Sequence, residues 1–133
     1  MKFNTKTIHG GQKPEPTTGA VMTPIFQTST FAHANPGEAQ EYEYARGKNP
    51  TRTALENSLA ALENGTNAFA FASGLAAIDA VLRLLNPGDQ IIAGNDIYGG
   101  TYRMFTKLFE KYALEFTYVD MTSVEEVSAK ITS

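Results

Sequence analysis

From Thr51 onward the apolar positions recur with the periods of helices and strands. Thr51 is placed to cap a helix running to Asn64, which Gly65 ends, and Leu55, Leu59 and Leu62 share one face of it. Asn67–Ala72 is short and apolar, the pattern of a buried strand. Ser73 then caps a second helix with Ile78, Val81, Leu82 and Leu85 on its inner stripe, stopped by Asn86-Pro87-Gly88. Asp89–Ala93 reads as a second strand. A third helix spans Gly99–Tyr112, with Phe105, Leu108, Phe109 and Tyr112 at helical spacing, and Leu114–Val119 is a third strand. Ser123 and Glu126 form a capping box for a last helix, which the end of the chain is expected to truncate.

Strand and helix alternate, which predicts an α/β fold with a mostly parallel sheet covered by helices. The order over residues 51–133 is the opening βαβαβ part of such a sheet. Three parallel strands leave an edge unpaired and faces to be covered, so a larger doubly wound domain is expected. Residues 1–50 differ. They hold Pro14, Pro16, Pro24, Pro36 and Pro50, five of the six prolines, and show little sustained periodicity. Yet Val21, Ile25, Phe26, Phe31, Tyr42 and Tyr44 are too apolar for a solvated tail. A long irregular stretch inside one compact domain is uncommon, so residues 1–50 are read as an arm that docks on a neighbouring subunit.

Composition narrows the function classes. A hydrophobic fraction of 42% and a charged fraction of 19% are those of a globular chain. Apolar runs are too short to span a membrane. The net charge of −3 disfavours nucleic acid and anionic membranes as partners. With no cysteine there is no disulfide, thiolate metal site or cysteine nucleophile. His9 and His33 have no metal-ligand spacing, so no metal is expected. Met1–Gly10 has no apolar core of a secretory leader, and the expected compartment is the cytoplasm.

Three segments carry chemistry. Ser73-Gly74-Leu75-Ala76-Ala77 lies where a strand is expected to give way to a helix, and free amides at a helix N-terminus attract anions. Taken alone, Ser-Gly at such a junction is most often a cap and a turn. Tyr98-Gly99-Gly100-Thr101-Tyr102-Arg103 follows the second strand, where open α/β sheets bind ligands. The Tyr98 ring suits a flat heterocycle and Arg103 suits a carboxylate, although a tyrosine on a Gly-Gly loop and a solvated arginine are the commoner readings. Tyr44-Ala45-Arg46 in extended chain puts a phenol and a guanidinium on one side, suited to a phosphate, where a basic linker is the commoner reading.

In this order and spacing the three segments, with Ile8-His9-Gly10-Gly11, Pro24-Ile25-Phe26-Gln27-Thr28-Ser29-Thr30-Phe31 and Asn49-Pro50-Thr51, resemble the cystathionine γ-synthase and γ-lyase family of pyridoxal-phosphate enzymes. The resemblance covers essentially the whole chain and corresponds to the N-terminal portion of the family. It implies fold type I, with an incomplete aspartate-aminotransferase-like large domain. It also implies that amides matching Gly74 and Leu75 hold the cofactor phosphate, with Ser73 opening the turn. The residue matching Tyr98 stacks on the pyridine ring and assists proton transfer. Those matching Tyr44 and Arg46 reach the phosphate of a neighbouring subunit, and that matching Arg103 lies near the distal end of an amino-acid substrate. Members are homotetramers built from dimers with shared active sites.

The family's cofactor lysine and the aspartate paired with the ring nitrogen are expected beyond residue 133. Lys2, Lys6, Lys13, Lys48, Lys107, Lys111 and Lys130 do not lie in that lysine's Ser/Thr-rich context. The chain is therefore read as a fragment that is inactive alone. Within the resemblance, Gly100 stands where methionine γ-lyases usually carry cysteine, Arg103 resembles the γ-synthase and γ-lyase branch, β-lyases often differ around Tyr98-Gly99-Gly100, and sulfhydrylases share Gly-Gly but often lack the arginine. A non-catalytic domain that binds a phosphate ligand or self-associates is the reading from another class. An aspartate-aminotransferase-like enzyme is disfavoured by the Tyr44-Arg46 and Tyr98-Gly99-Gly100 segments.

Overall fold

The computed structural model describes residues 1–132. The elements run α1 (Phe3–His9), α2 (Pro50–Leu62), α3 (Gly74–Leu82), β1 (Gln90–Gly94), α4 (Gly99–Lys107), a 3-10 turn (Phe109–Tyr112), β2 (Glu115–Val119) and α5 (Val124–Lys130). The chain divides into two compact units, Met1–Ala70 and Phe71–Ser133.

In the first unit α1 packs on α2. Lys6 Nζ ties them together by donating to the Ala61 carbonyl at 3.2 Å and to Asn64 Oδ1 at 2.7 Å. Gly11 makes the close approach possible: its φ of +70° is left-handed, and a Cβ there would collide with the Asn57 carbonyl. The Asn-Pro-Thr run builds the start of α2. Asn49, not Thr51, is the N-cap, its side-chain oxygen accepting from the Thr51 amide at 2.9 Å, with Pro50 in the first turn. Thr51 is diverted to the preceding chain. Its hydroxyl accepts from the Phe26 amide at 2.8 Å and donates to the Pro24 carbonyl at 3.3 Å, while Asn49 Nδ2 donates to the Phe26 carbonyl at 3.0 Å. The helix thus anchors the proline-rich strand of chain before it. Leu55 and Leu59 of the predicted apolar face of α2 are exposed, 52% and 42%, while Leu62 is half-buried.

The second unit is α/β with parallel strands, as the alternation predicts. β1 and β2 pair in parallel from Gln90 opposite Glu115 to Gly94 opposite Val119. The sheet has two strands, not three. Residues 66–72 form no strand, because a strand needs a neighbour for its backbone groups and no described segment supplies one. The Ala70 amide bonds instead to Glu56 Oε1 at 2.9 Å, and Phe69 and Phe71 stay exposed. The core is Leu82, Phe105, Phe109 and Leu114, with Ile78, Ile91, Phe116 and Tyr118 packed against it. Phe105 stacks on Phe116 with ring centroids 4.3 Å apart.

Helix ends differ from the sequence pattern in identifiable ways. The second predicted helix stops at Leu82, short of Leu85, and Val81 within it is 61% exposed, so only Ile78 and Leu82 of its stripe enter the core. The third breaks after Lys107 into the 3-10 turn, which brings Phe109 inward and leaves Leu108 and Tyr112 outside. Ser123 caps α5 through the Glu126 amide at 3.2 Å, but the Glu126 carboxylate accepts from the Asp120 amide at 3.1 Å rather than closing the box.

Candidate functional site

Ser73, Gly74 and Leu75 lie together at the start of α3. Ser73 is extended (φ −157°, ψ 160°), and its hydroxyl accepts from the Ala76 amide at 3.2 Å. Its carbonyl accepts from the Ala77 amide at 3.1 Å. A helix leaves its first four amides without intrahelical partners. The Ser73 side chain takes that of Ala76, the Ala77 amide already makes the first bond of the helix itself, and among the described residues no acceptor meets those of Gly74 and Leu75. No atom lies within 4 Å of where a Gly74 Cβ would stand. The turn therefore offers two free donors, the positive end of a helix dipole and open space above the backbone.

Tyr98 stands four residues beyond the carboxyl end of β1, at the N-terminus of α4. Tyr98 is 71% exposed and its side chain makes no capping bond. Gly100 gives it room: a Cβ at that position would collide with the ring edge. The ring thus lies against the first turn of α4 with a face open to a flat ligand. Arg103 is exposed on α4, outside the ion pairs of the described residues.

In the first unit Tyr44 and Arg46 come together, although not in extended chain. Tyr44 makes an antiparallel bridge with Thr30, after which the chain turns, the Gly47 and Lys48 amides bonding to the Tyr44 carbonyl at 2.9 and 3.0 Å. The turn folds the guanidinium over the phenol, 4.8 Å from the ring centroid. Arg52 and Glu56, absent from the motifs, surround this turn. Their i,i+4 spacing on α2 was the available signal.

Tyr118 and Asp120 are among the groups whose acidity is perturbed. The Tyr118 hydroxyl is buried without a partner, and burial, then nearby Tyr102, pushes it above the usual phenol range. Asp120, just past β2, is held below the usual carboxylate range by the Thr122 hydroxyl and amide. No cluster of His, Asp or Glu suited to a metal occurs among the described residues. None of their helices is long and apolar enough to cross a membrane.

Parallel strands alternating with helices define the class, an α/β protein. The chain belongs to the family of Cys/Met metabolism PLP-dependent enzymes (PLP, pyridoxal phosphate), which it matches over residues 4–133. It is 50% identical over 132 residues to a cystathionine beta-lyase of Coxiella burnetii, covering 98% of this chain and 34% of the relative. It is 50% identical over 129 residues to a probable cystathionine gamma-synthase of Herpetosiphon aurantiacus, covering 97% and 40%. The crystal structure of a cystathionine gamma-lyase from Lactobacillus plantarum complexed with L-serine superposes with a TM-score of 0.89 at 48% identity, covering 99% of this chain and 34% of that one. The chain thus spans 34–40% of the length of these relatives. Their names divide among three reactions at nearly equal identity, so identity alone selects none of them.

Proposed function

We propose that this chain supplies the phosphate cradle and ring platform of a pyridoxal-phosphate enzyme acting on cystathionine or an O-acylated homoserine by γ-elimination or γ-replacement. The observation that carries the reading is the pair of free amides at Gly74 and Leu75 beneath open space, in a chain of this family. The donor set fits: within one chain a phosphate dianion takes two backbone N–H bonds and the dipole of α3. When bound, the cofactor supplies an electron sink for a carbanion at the substrate's α carbon.

The residues divide the remaining work. Ser73 holds the turn by capping Ala76, which leaves the Gly74 and Leu75 amides free for the phosphate. Tyr98 covers one face of the ring, and its phenol oxygen holds or passes a proton near the reacting carbon. Arg103, exposed on α4, takes the distal carboxylate of the amino-acid substrate. Tyr44 and Arg46 grip the phosphate held by a neighbouring subunit, residues 1–50 forming the arm that carries them across. The working enzyme is then a homotetramer built from two dimers with shared sites, in the cytoplasm. Arg103 and Gly100 favour the γ branch over β-lyase, methionine γ-lyase and sulfhydrylase chemistry. With cystathionine as substrate, release of cysteine marks γ cleavage and release of homocysteine marks β cleavage.

None of the lysines in this chain forms the covalent link to the cofactor. Purified chain with pyridoxal phosphate, weighed by native mass spectrometry and again after borohydride reduction and denaturation, tests both statements. The expected result is one cofactor retained natively and no stoichiometric lysine adduct after denaturation. An adduct at one lysine contradicts the absence of the anchor, and no native retention contradicts the cradle.

A further inference from the structure

Arg52 leaves the first turn of α2 and reaches back over the chain that enters the helix. Its guanidinium donates to the Gly47 carbonyl and, at 3.5 Å, to the Ala45 carbonyl. These carbonyls flank Arg46. Arg52 Nε lies 3.4 Å from Glu56 Oε1, one helical turn on, and the same oxygen accepts from the Ala70 amide at 2.9 Å. The pair is sheltered, with side-chain exposures of 33% and 17%. A guanidinium is a planar fork, so bonding the carbonyls on both sides of one residue restricts that residue's backbone. The residue so restricted is the one whose own guanidinium rests on the Tyr44 ring.

The geometry points to Arg52 as a positioning residue for the phosphate grip of Tyr44 and Arg46, with Glu56 orienting it. The inference rests on the proposed role of Arg46 in holding the cofactor phosphate. Arg52 has no need to touch the ligand. It orders the Tyr44–Lys48 turn beforehand, so that Arg46 gives up less freedom when it binds. Without Arg52 the ligand must order the turn itself, and affinity falls.

The test is a double-mutant cycle on the full chain, with pyridoxal phosphate as the probe and its dissociation constant as the readout. Arg46→Ala is expected to weaken binding about tenfold, as loss of a charge-assisted bond does. Arg52→Met is expected to weaken it about fivefold alone but less than about twofold in the Arg46→Ala background. Arg52→Lys keeps one carbonyl bond and the charge beside Glu56, and should recover part of the loss. Exchange of the Glu63 amide, bonded to the Leu59 carbonyl at 3.0 Å, reports whether α2 persists. If Arg52→Met unfolds α2, Arg52→Lys runs through the same cycle. Additive losses overturn the inference, since Arg52 would then act through general stability, and so does an unchanged affinity in Arg52→Met. If Arg46→Ala alone leaves affinity unchanged, the reading of Arg46 fails and the inference falls with it.

Discussion

Replacing Gly74 by alanine should move stability and ligand affinity in opposite directions. Gly74 is the first residue of α3, and its φ is not positive. An added Cβ meets no atom within 4 Å, so it brings no clash in the free protein. Alanine at a compatible glycine position narrows the unfolded ensemble, which stabilises by about 0.4–1 kcal/mol. For a domain of this size that is a rise in thermal midpoint of roughly 2–5 °C. The same methyl group occupies the space through which a phosphate approaches the Gly74 and Leu75 amides. Loss of hydrogen bonds to a charged group costs about 1.5–3 kcal/mol, or roughly ten- to hundredfold in affinity. Melting followed by circular dichroism gives the first quantity, and fluorescence titration with pyridoxal phosphate the second. A lower midpoint would show that the turn needs glycine for its backbone. A higher midpoint with unchanged affinity would place the anion elsewhere and refute the cradle.

Three other perturbations test the local physics. Asn49→Ala removes the cap of α2 and its bond to the Phe26 carbonyl, and should cost about 1–2 kcal/mol in urea unfolding; a loss below about 0.3 kcal/mol would contradict the anchoring described. Gly100→Ala should displace the Tyr98 ring, seen as altered ring proton shifts and a severalfold weaker affinity for pyridoxal phosphate, while α4 remains folded. The Glu15 carboxyl is held at about 2 by the Thr18 hydroxyl and amide and the Thr17 amide. Its folded value is depressed, so its contribution is present above its ordinary value of 4.5 and lost as pH falls toward about 2. A carboxyl NMR titration should show that midpoint, and Thr18→Val should raise it.

The α/β class, the parallel pairing and the Ser73 cap were legible because each depends on a few neighbouring residues. Asp89–Ala93 and Leu114–Val119 fall within one residue of the strands β1 and β2. The strand expected at Asn67–Ala72 was not, since apolar composition says nothing about whether a pairing neighbour exists. Thr51 looked like a cap, but Asn49 competes for the same amide and Thr51 has a tertiary use on Pro24 and Phe26. Free donors at the junction opened by Ser73 followed from helix geometry, and the family resemblance singled out those of Gly74 and Leu75. The turn that folds Arg46 onto Tyr44 did not follow, because it is closed by the Gly47 and Lys48 amides on the Tyr44 carbonyl, bonds that the extended reading of the segment left out. The α2 leucines show the opposite error: the stripe is real in sequence, yet the residues facing α1 include Ala61, whose Cβ lies beside Gly10.

The central claim is that the Gly74 and Leu75 amides hold a phosphate. The most direct measurement is an amide ¹⁵N–¹H NMR titration of the labelled chain with pyridoxal phosphate, and in parallel with pyridoxal, which lacks the phosphate. The account predicts that the Gly74 and Leu75 resonances move saturably with pyridoxal phosphate and stay in place with pyridoxal. If both amides are unmoved at saturation while resonances elsewhere shift, the phosphate is held at another place and the account is wrong.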